Sequence, residues 1–195
     1  MISPAPLVLA STSPYRRALL ERLGLAFRVE APGIDEAHRA QEPFAERALR
    51  LAHAKAEAIA ARDPAAVVIG SDQVAESAGV ILDKAGDAAA ARAQLARLSG
   101  ARAQFHTACA LHCRGRGLRA VHLDTTTVVF RALSAAEIDR YIEREQPYDC
   151  AGSFKAEGLG IVLFERIESV DPSALIGLPL IWLASALRAA GYALP

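Results

Sequence analysis

Apolar residues in this chain follow two alternating rhythms: short unbroken runs and three-to-four-residue spacing. The runs at Leu7–Ala10 and residues 65–70 carry no polar interruption, which suits strands buried on both faces. Ser13 followed by Pro14 predicts a helix start that runs to Leu23 and is stopped by Gly24. A further strand is predicted over 26–31. The longest helix is predicted over 43–62, where Leu49, Ala52, Ala56 and Ile59 recur on one side. Asp87 caps a helix through Leu98, closed by Gly100. Residues 102–114 and 118–130 read as two strands joined by a glycine-rich turn at 115–117. Ser134 with Glu137 forms a capping box opening a helix to Arg144. A strand over 160–168 and a helix over 178–190 close the pattern.

Alternation of strands and helices predicts an α/β class. The turn at 115–117 adds an antiparallel element, so a mixed sheet flanked by helices is expected. The length suits a single domain over 1–195, with room for two lobes. The chain shows no clear linker; a boundary, if present, would fall near 75–87, without two independent domains. Residues 2–9 are apolar but broken by Pro4 and Pro6 and lack a basic start, unlike a signal peptide. No apolar run is long enough to span a bilayer. Lys plus Arg and Asp plus Glu are each 22, and this balance gives no support to binding of nucleic acid or membranes. Cys109, Cys113 and Cys150 are an odd set without disulfide spacing, so a reducing cytoplasm is expected.

Several segments carry chemistry. Ser11-Thr12-Ser13-Pro14-Tyr15-Arg16-Arg17 stands where a strand passes into a helix. The free amides and positive end of a helix start favour an anion, and arginine offers phosphate two parallel hydrogen bonds. The same residues also read as an ordinary cap with solvated arginines. It is not a Walker loop, whose G-x-x-x-x-G-K-[ST] pattern is missing. Asp72, in Ile69-Gly70-Ser71-Asp72-Gln73, falls at the end of a buried strand, where open α/β sheets place ligands. It reads equally as a metal ligand, a water activator or a loop cap. Asp35 and Glu36 offer oxygens to a hard cation, or form an exposed acidic loop. Lys84 and Lys55 are candidate phosphate cations, although solvated lysines are the ordinary reading of both. Residues 151–160 combine small residues, Phe154, Lys155 and Glu157 in a loop suited to shaping a base pocket, or to serving as a plain connection. His106, Cys109, His112 and Cys113 invite a zinc reading. On a strand the histidines share one face and the cysteines the other, so four ligands do not converge.

Four segments give this chain a likeness to a known family. They are Leu9-Ala10-Ser11-Thr12-Ser13-Pro14-x-Arg16-Arg17, Ile69-Gly70-Ser71-Asp72-Gln73-Val74, Ala151-Gly152-Ser153-Phe154-Lys155-x-Glu157-Gly158 and Leu175-Ile176-Gly177-Leu178-Pro179-Leu180. Together and collinearly they resemble the Maf family of nucleoside triphosphate pyrophosphatases. The resemblance implies an inosine triphosphatase-like fold with a cleft between two lobes, a cytoplasmic location, a divalent metal (Mg²⁺, Mn²⁺ or Co²⁺) and a homodimer. It implies Asp72 as proton acceptor, and Asp35, Glu36 and Asp72 are the candidate metal ligands. Ser11, Arg16, Arg17, Lys55, Lys84 and Lys155 would bind the substrate, and Tyr15, Gln73 and Glu157 would set its choice. The Ser-Asp-Gln pattern resembles the 7-methyl-GTP branch, whereas the dTTP- and UTP-cleaving branch commonly has Ala-Asp-Thr. Two departures stand out: Asp83-Lys84-Ala85 replaces the usual Gly-Lys-Pro, and Thr107-Ala108 replaces Thr-Gly.

On this resemblance a triphosphate would be cleaved to the monophosphate and pyrophosphate, removing modified nucleotides before their incorporation into nucleic acids. The alternatives are a dTTP/UTP pyrophosphatase of the same family and a nucleotide-sensing regulator of cell division and septum formation, which would bind without turnover.

Overall fold

Leu7–Ala10 forms strand β1, wholly buried as its unbroken apolar run requires. The structure, a computed structural model, describes residues 5–195, so Ile2 and Pro4 of the apolar start lie outside the described residues. Ser13 accepts a hydrogen bond from the Arg16 amide and caps helix α1, Pro14–Glu21, with proline in its first turn. Strand β2 is Arg28–Glu30 and helix α2 is Phe44–Ala60. Strand β3 runs Val67–Ser77 and turns back into β4, Val80–Ile81. Asp87 caps helix α3, Ala88–Leu98. Strands β5, Arg102–Cys113, and β6, Leu118–Phe130, flank a 3₁₀ turn at Arg114–Arg116, with Gly117 at φ 62°. The Ser134 capping box opens helix α4, Ala135–Glu145. Strand β7 is Phe164–Glu168 and helix α5 is Leu180–Ala189.

The sheet has the order β2-β1-β3-β5-β6-β7, with β4 on β3. β1 pairs in parallel with β2 and β3, while β4 and β7 pair antiparallel with β3 and β6. The expected mixed sheet with helices is therefore present. Two local expectations change. β3 does not stop at residue 70: it runs on to Ser77, where the short β4 gives it a hairpin partner the sequence pattern did not signal. Its parallel pairing to β1 does end there, at Ala10↔Gly70, so Ser71, Asp72 and Gln73 extend past the parallel edge. Residues 159–163 form a 3₁₀ turn, not the first half of a strand.

The described residues form two compact units, 5–73 with 107–124 and 171–195, and 74–106 with 125–170. In the first unit, Leu7 and Leu9 of β1, Leu19 and Leu20 of α1, Ile69 of β3, and Leu183 and Leu187 of α5 share one core. Gly70 is what lets α2 lie against β3. A Cβ there would overlap the Ala52 carbonyl oxygen and the Ala56 amide, so any side chain would push the helix away. The second unit holds an aromatic cluster in which Phe154 packs edge-on against Phe105, Phe130 and Phe164 at centroid distances of 5.3, 5.7 and 4.8 Å.

Candidate active site

Lys55 is the unexpected centre of the first unit's charged cluster. It lies in the buried stripe of α2 with Leu51, Ala52, Ala56 and Ile59. Where α2 rests on Gly70, its ammonium meets Asp72 Oδ1 at 2.6 Å and Glu36 Oε1 at 2.9 Å. The Lys55 and Asp72 side chains are 7% and 8% exposed, whereas Glu36 is half-exposed. The reading of Lys55 as solvated is thus corrected. A lysine within an apolar helical stripe signals a buried charge, which must find a partner, and that signal was legible in the sequence.

Asp35 does not join this cluster. It is exposed, and its Oδ1 accepts the Ala37 amide at 2.9 Å in a local turn. The expected three-carboxylate metal set therefore contracts to Glu36 and Asp72. Among the described residues no group of three or more His, Cys, Asp or Glu side chains is arranged to hold a metal ion. Two carboxylates that converge on one ammonium still form an all-oxygen donor set of the kind a hard divalent cation takes.

Arg16 and Arg17 part company on α1. Arg16 turns inward: its Nε donates to the Gly177 carbonyl at 3.0 Å, and its Nη1 lies 3.5 Å from Ser11 Oγ. Burial lowers its proton affinity, and the charges of Asp72 and Glu36 counter that loss. Arg17 is exposed and pairs with Glu21 one turn along the helix. Ser11 is buried and accepts the Ser13 amide at 3.2 Å. Tyr15 is half-buried on the same helix.

Ser71 and Gln73 lie two apart on β3 and face one side, with Asp72 on the other. Ser71 Oγ lies 2.9 Å from both the Ala108 and Gly177 carbonyl oxygens. Gln73 Nε2 lies 2.9–3.1 Å from Thr107 Oγ1 and the Ala174 and Leu175 carbonyl oxygens. The donor side of Gln73 is thus committed to the chain itself.

Lys84, Lys155 and Glu157 belong to the second unit. Lys84 is exposed, and its backbone bridges Ala151. Lys155 Nζ donates to the Glu145 carbonyl at 3.0 Å and pairs with the Glu145 carboxylate at 3.5 Å. Glu157 is exposed. Ser153, at φ 57°, donates to Gln94 at 2.7 Å and pins the loop that carries Lys155 and Glu157.

The strand reading of residues 106–113 holds. Burial raises the Cys109 thiol to about 12. His112 Nε2 meets His53 Nδ1 at 3.0 Å, and His112 Nδ1 meets Glu57 at 3.2 Å. Arg114 holds the other oxygen of Glu57.

The fold is similar to that of a HAM1 protein from Coxiella burnetii, with a TM-score of 0.50 over 95% of this chain and 99% of that one, at 14% identity. The model of the family described as Maf-like protein matches residues 6–190, and the chain belongs to that family. A curated relative from Xanthomonas oryzae pv. oryzae (strain MAFF 311018), named 7-methyl-GTP pyrophosphatase, is 54% identical over 97% of this chain and 98% of its own. One of the same name from Albidiferax ferrireducens is 51% identical over 95% and 93%. No helix among the described residues is long and apolar enough to cross a membrane.

Proposed function

We propose that this protein hydrolyses 7-methyl-GTP to the monophosphate and pyrophosphate, removing the modified nucleotide before it can enter nucleic acid. The names of relatives identical at 51% and 54% over nearly the whole chain support the substrate. The observation that carries the chemistry is Asp72, a buried carboxylate gripped by Lys55 just past the parallel edge of the sheet.

Lys55 bonds Asp72 through Oδ1. Oδ2 accepts a proton from water as its oxygen attacks the α-phosphorus. The bond to the α–β bridging oxygen breaks, and pyrophosphate leaves with the electron pair. The triphosphate lies against the Nη groups of Arg16, because its Nε is taken by Gly177. Glu36 and Asp72 are the residues that would hold a divalent cation. When bound, it shields the charge that develops on the phosphates. The parts of Lys84, Lys155 and Glu157 rest on the family resemblance.

The test is pyrophosphate release from 7-methyl-GTP, GTP, dTTP and UTP with Mg²⁺, Mn²⁺ and Co²⁺. The methylated nucleotide should give the highest kcat/KM. Binding without release would make the protein a nucleotide sensor, and a preference for dTTP or UTP would place it in the other branch. Asp72→Asn should lower turnover on the order of a hundredfold or more, and near-normal turnover would remove Asp72 as the base.

A further inference from the structure

Segment 171–177 is held on several sides. Asp171 and Ser173 tie its entry to the start of α5: Asp171 Oδ1 accepts the Ser173 amide at 2.9 Å, Asp171 Oδ2 the Ile181 amide at 2.7 Å, and Ser173 Oγ the Leu180 amide at 2.9 Å. Gln73 fixes the carbonyls of Ala174 and Leu175, and Thr107 donates to the first of these at 2.9 Å. At its exit the Gly177 carbonyl accepts from Arg16 Nε and shares the Ser71 hydroxyl with the Ala108 carbonyl. Gly177 has φ 123°, and a Cβ there would lie 3.4 Å from Arg16 Nε. The arginine therefore lies directly on this glycine, in a backbone conformation that other residues rarely adopt.

We propose that Ser71 and Gln73 are positioning residues that act through this segment: they hold the Gly177 carbonyl where it orients Arg16 toward phosphate. The proposal rests on the reading of Arg16 as a triphosphate ligand. A guanidinium is planar, so fixing its Nε fixes where both Nη groups point. Ser71 is fully buried and its hydroxyl lies between two of the chain's own carbonyls, those of Ala108 and Gly177, so it shapes the site without touching substrate. Gln73 then differs from a residue that reads the base. The phosphates are common to every nucleoside triphosphate, so a fault passed through Arg16 must weaken all substrates by one factor.

The experiment is a double-mutant cycle on the intact protein, with kcat/KM measured on 7-methyl-GTP and on GTP. Ser71→Ala and Gln73→Ala should each lower kcat/KM roughly tenfold, the size expected from disturbing one hydrogen bond to a charged group. The loss should fall mainly on KM and leave the ratio of the two substrates unchanged. In an Arg16→Ala background either change should cost less than about twofold, because its target is gone. Ser71→Cys keeps nearly the same volume with a weak donor and supplies the cycle if Ser71→Ala does not fold. Arg16→Ala at wild-type efficiency overturns both the phosphate reading and this inference. If Arg16→Ala is severe and the Ser71 penalty persists in full beside it, the inference alone falls. It falls equally if Gln73→Ala changes the substrate ratio.

Discussion

Lys55→Met tests whether the α2 lysine is held by charge or merely covered. The variant keeps an unbranched apolar stem of similar length but leaves Asp72 buried without its ammonium. Removing one partner of a buried ion pair costs about 3–5 kcal/mol. Two features of this site favour the low end. Arg16 is close enough to feel the Asp72 charge, and Glu36 is half-exposed and regains water. A destabilisation of about 3 kcal/mol follows, and for a chain of this length each kcal/mol moves Tm by about 2–4 °C, so Tm should fall by roughly 6–12 °C. Adding Asp72→Asn removes the stranded charge. The double variant should regain about 1–2 kcal/mol over Lys55→Met alone, although Asp72→Asn by itself destabilises. Thermal melts monitored by circular dichroism, with urea titrations alongside, measure both. A Tm shift under about 3 °C, or a double variant no more stable than Lys55→Met, would refute the argument that Lys55 exists to neutralise Asp72.

Arg16→Ala and Arg17→Ala should be unequal: about a hundredfold loss of kcat/KM for the inward Arg16, and under about threefold for Arg17, whose partner Glu21 is equally exposed. Equal losses would remove the distinction between them. Methylated guanine carries a fixed positive charge, so Glu157→Gln should lower the 7-methyl-GTP to GTP efficiency ratio, mainly through the methylated substrate; an unchanged ratio would mean that Glu157 does not sense that charge. Burial, first of all, lowers the proton affinity of His53 and His112 below the ordinary 6.5. The unfolded chain then binds more protons below that pH, so stability should fall as pH drops below about 6.5, until the folded imidazoles themselves protonate. His112→Gln should flatten that slope in urea titrations at a series of pH values, and an unaltered slope would assign the acid sensitivity to other groups.

Much of the secondary structure was legible because its causes are local. Ser13-Pro14, Asp87 and Ser134 with Glu137 mark helix starts through bonds made within one turn. The buried runs of β1 and β3 announce themselves because a strand covered on both faces has no polar positions to alternate. Locality also explains the misses. Residues 159–163 are as apolar as a strand, yet the Gly160 and Leu159 amides turn back to Lys155 and Glu145, contacts that residue patterning does not encode. β4 is only two residues long, and its hairpin with β3 leaves little pattern of its own.

The sequence by itself also supplied the chemical inventory, namely the arginines at the α1 start, a carboxylate past a buried strand and the Ser-Asp-Gln order. Tertiary structure decided what each member does. Arg16 faces inward and Arg17 outward because successive helical residues point about a hundred degrees apart, and only packing selects which one meets Gly177. Lys55 and Asp72, seventeen residues apart, meet because Gly70 lets α2 lie directly on β3. Asp35 and Glu36 are neighbours in sequence, yet Glu36 reaches Lys55 while Asp35 closes a local turn. A side chain's charge is written in its formula, but whether it is spent on substrate, on a buried partner or on its own backbone depends on which groups the fold brings within three ångströms.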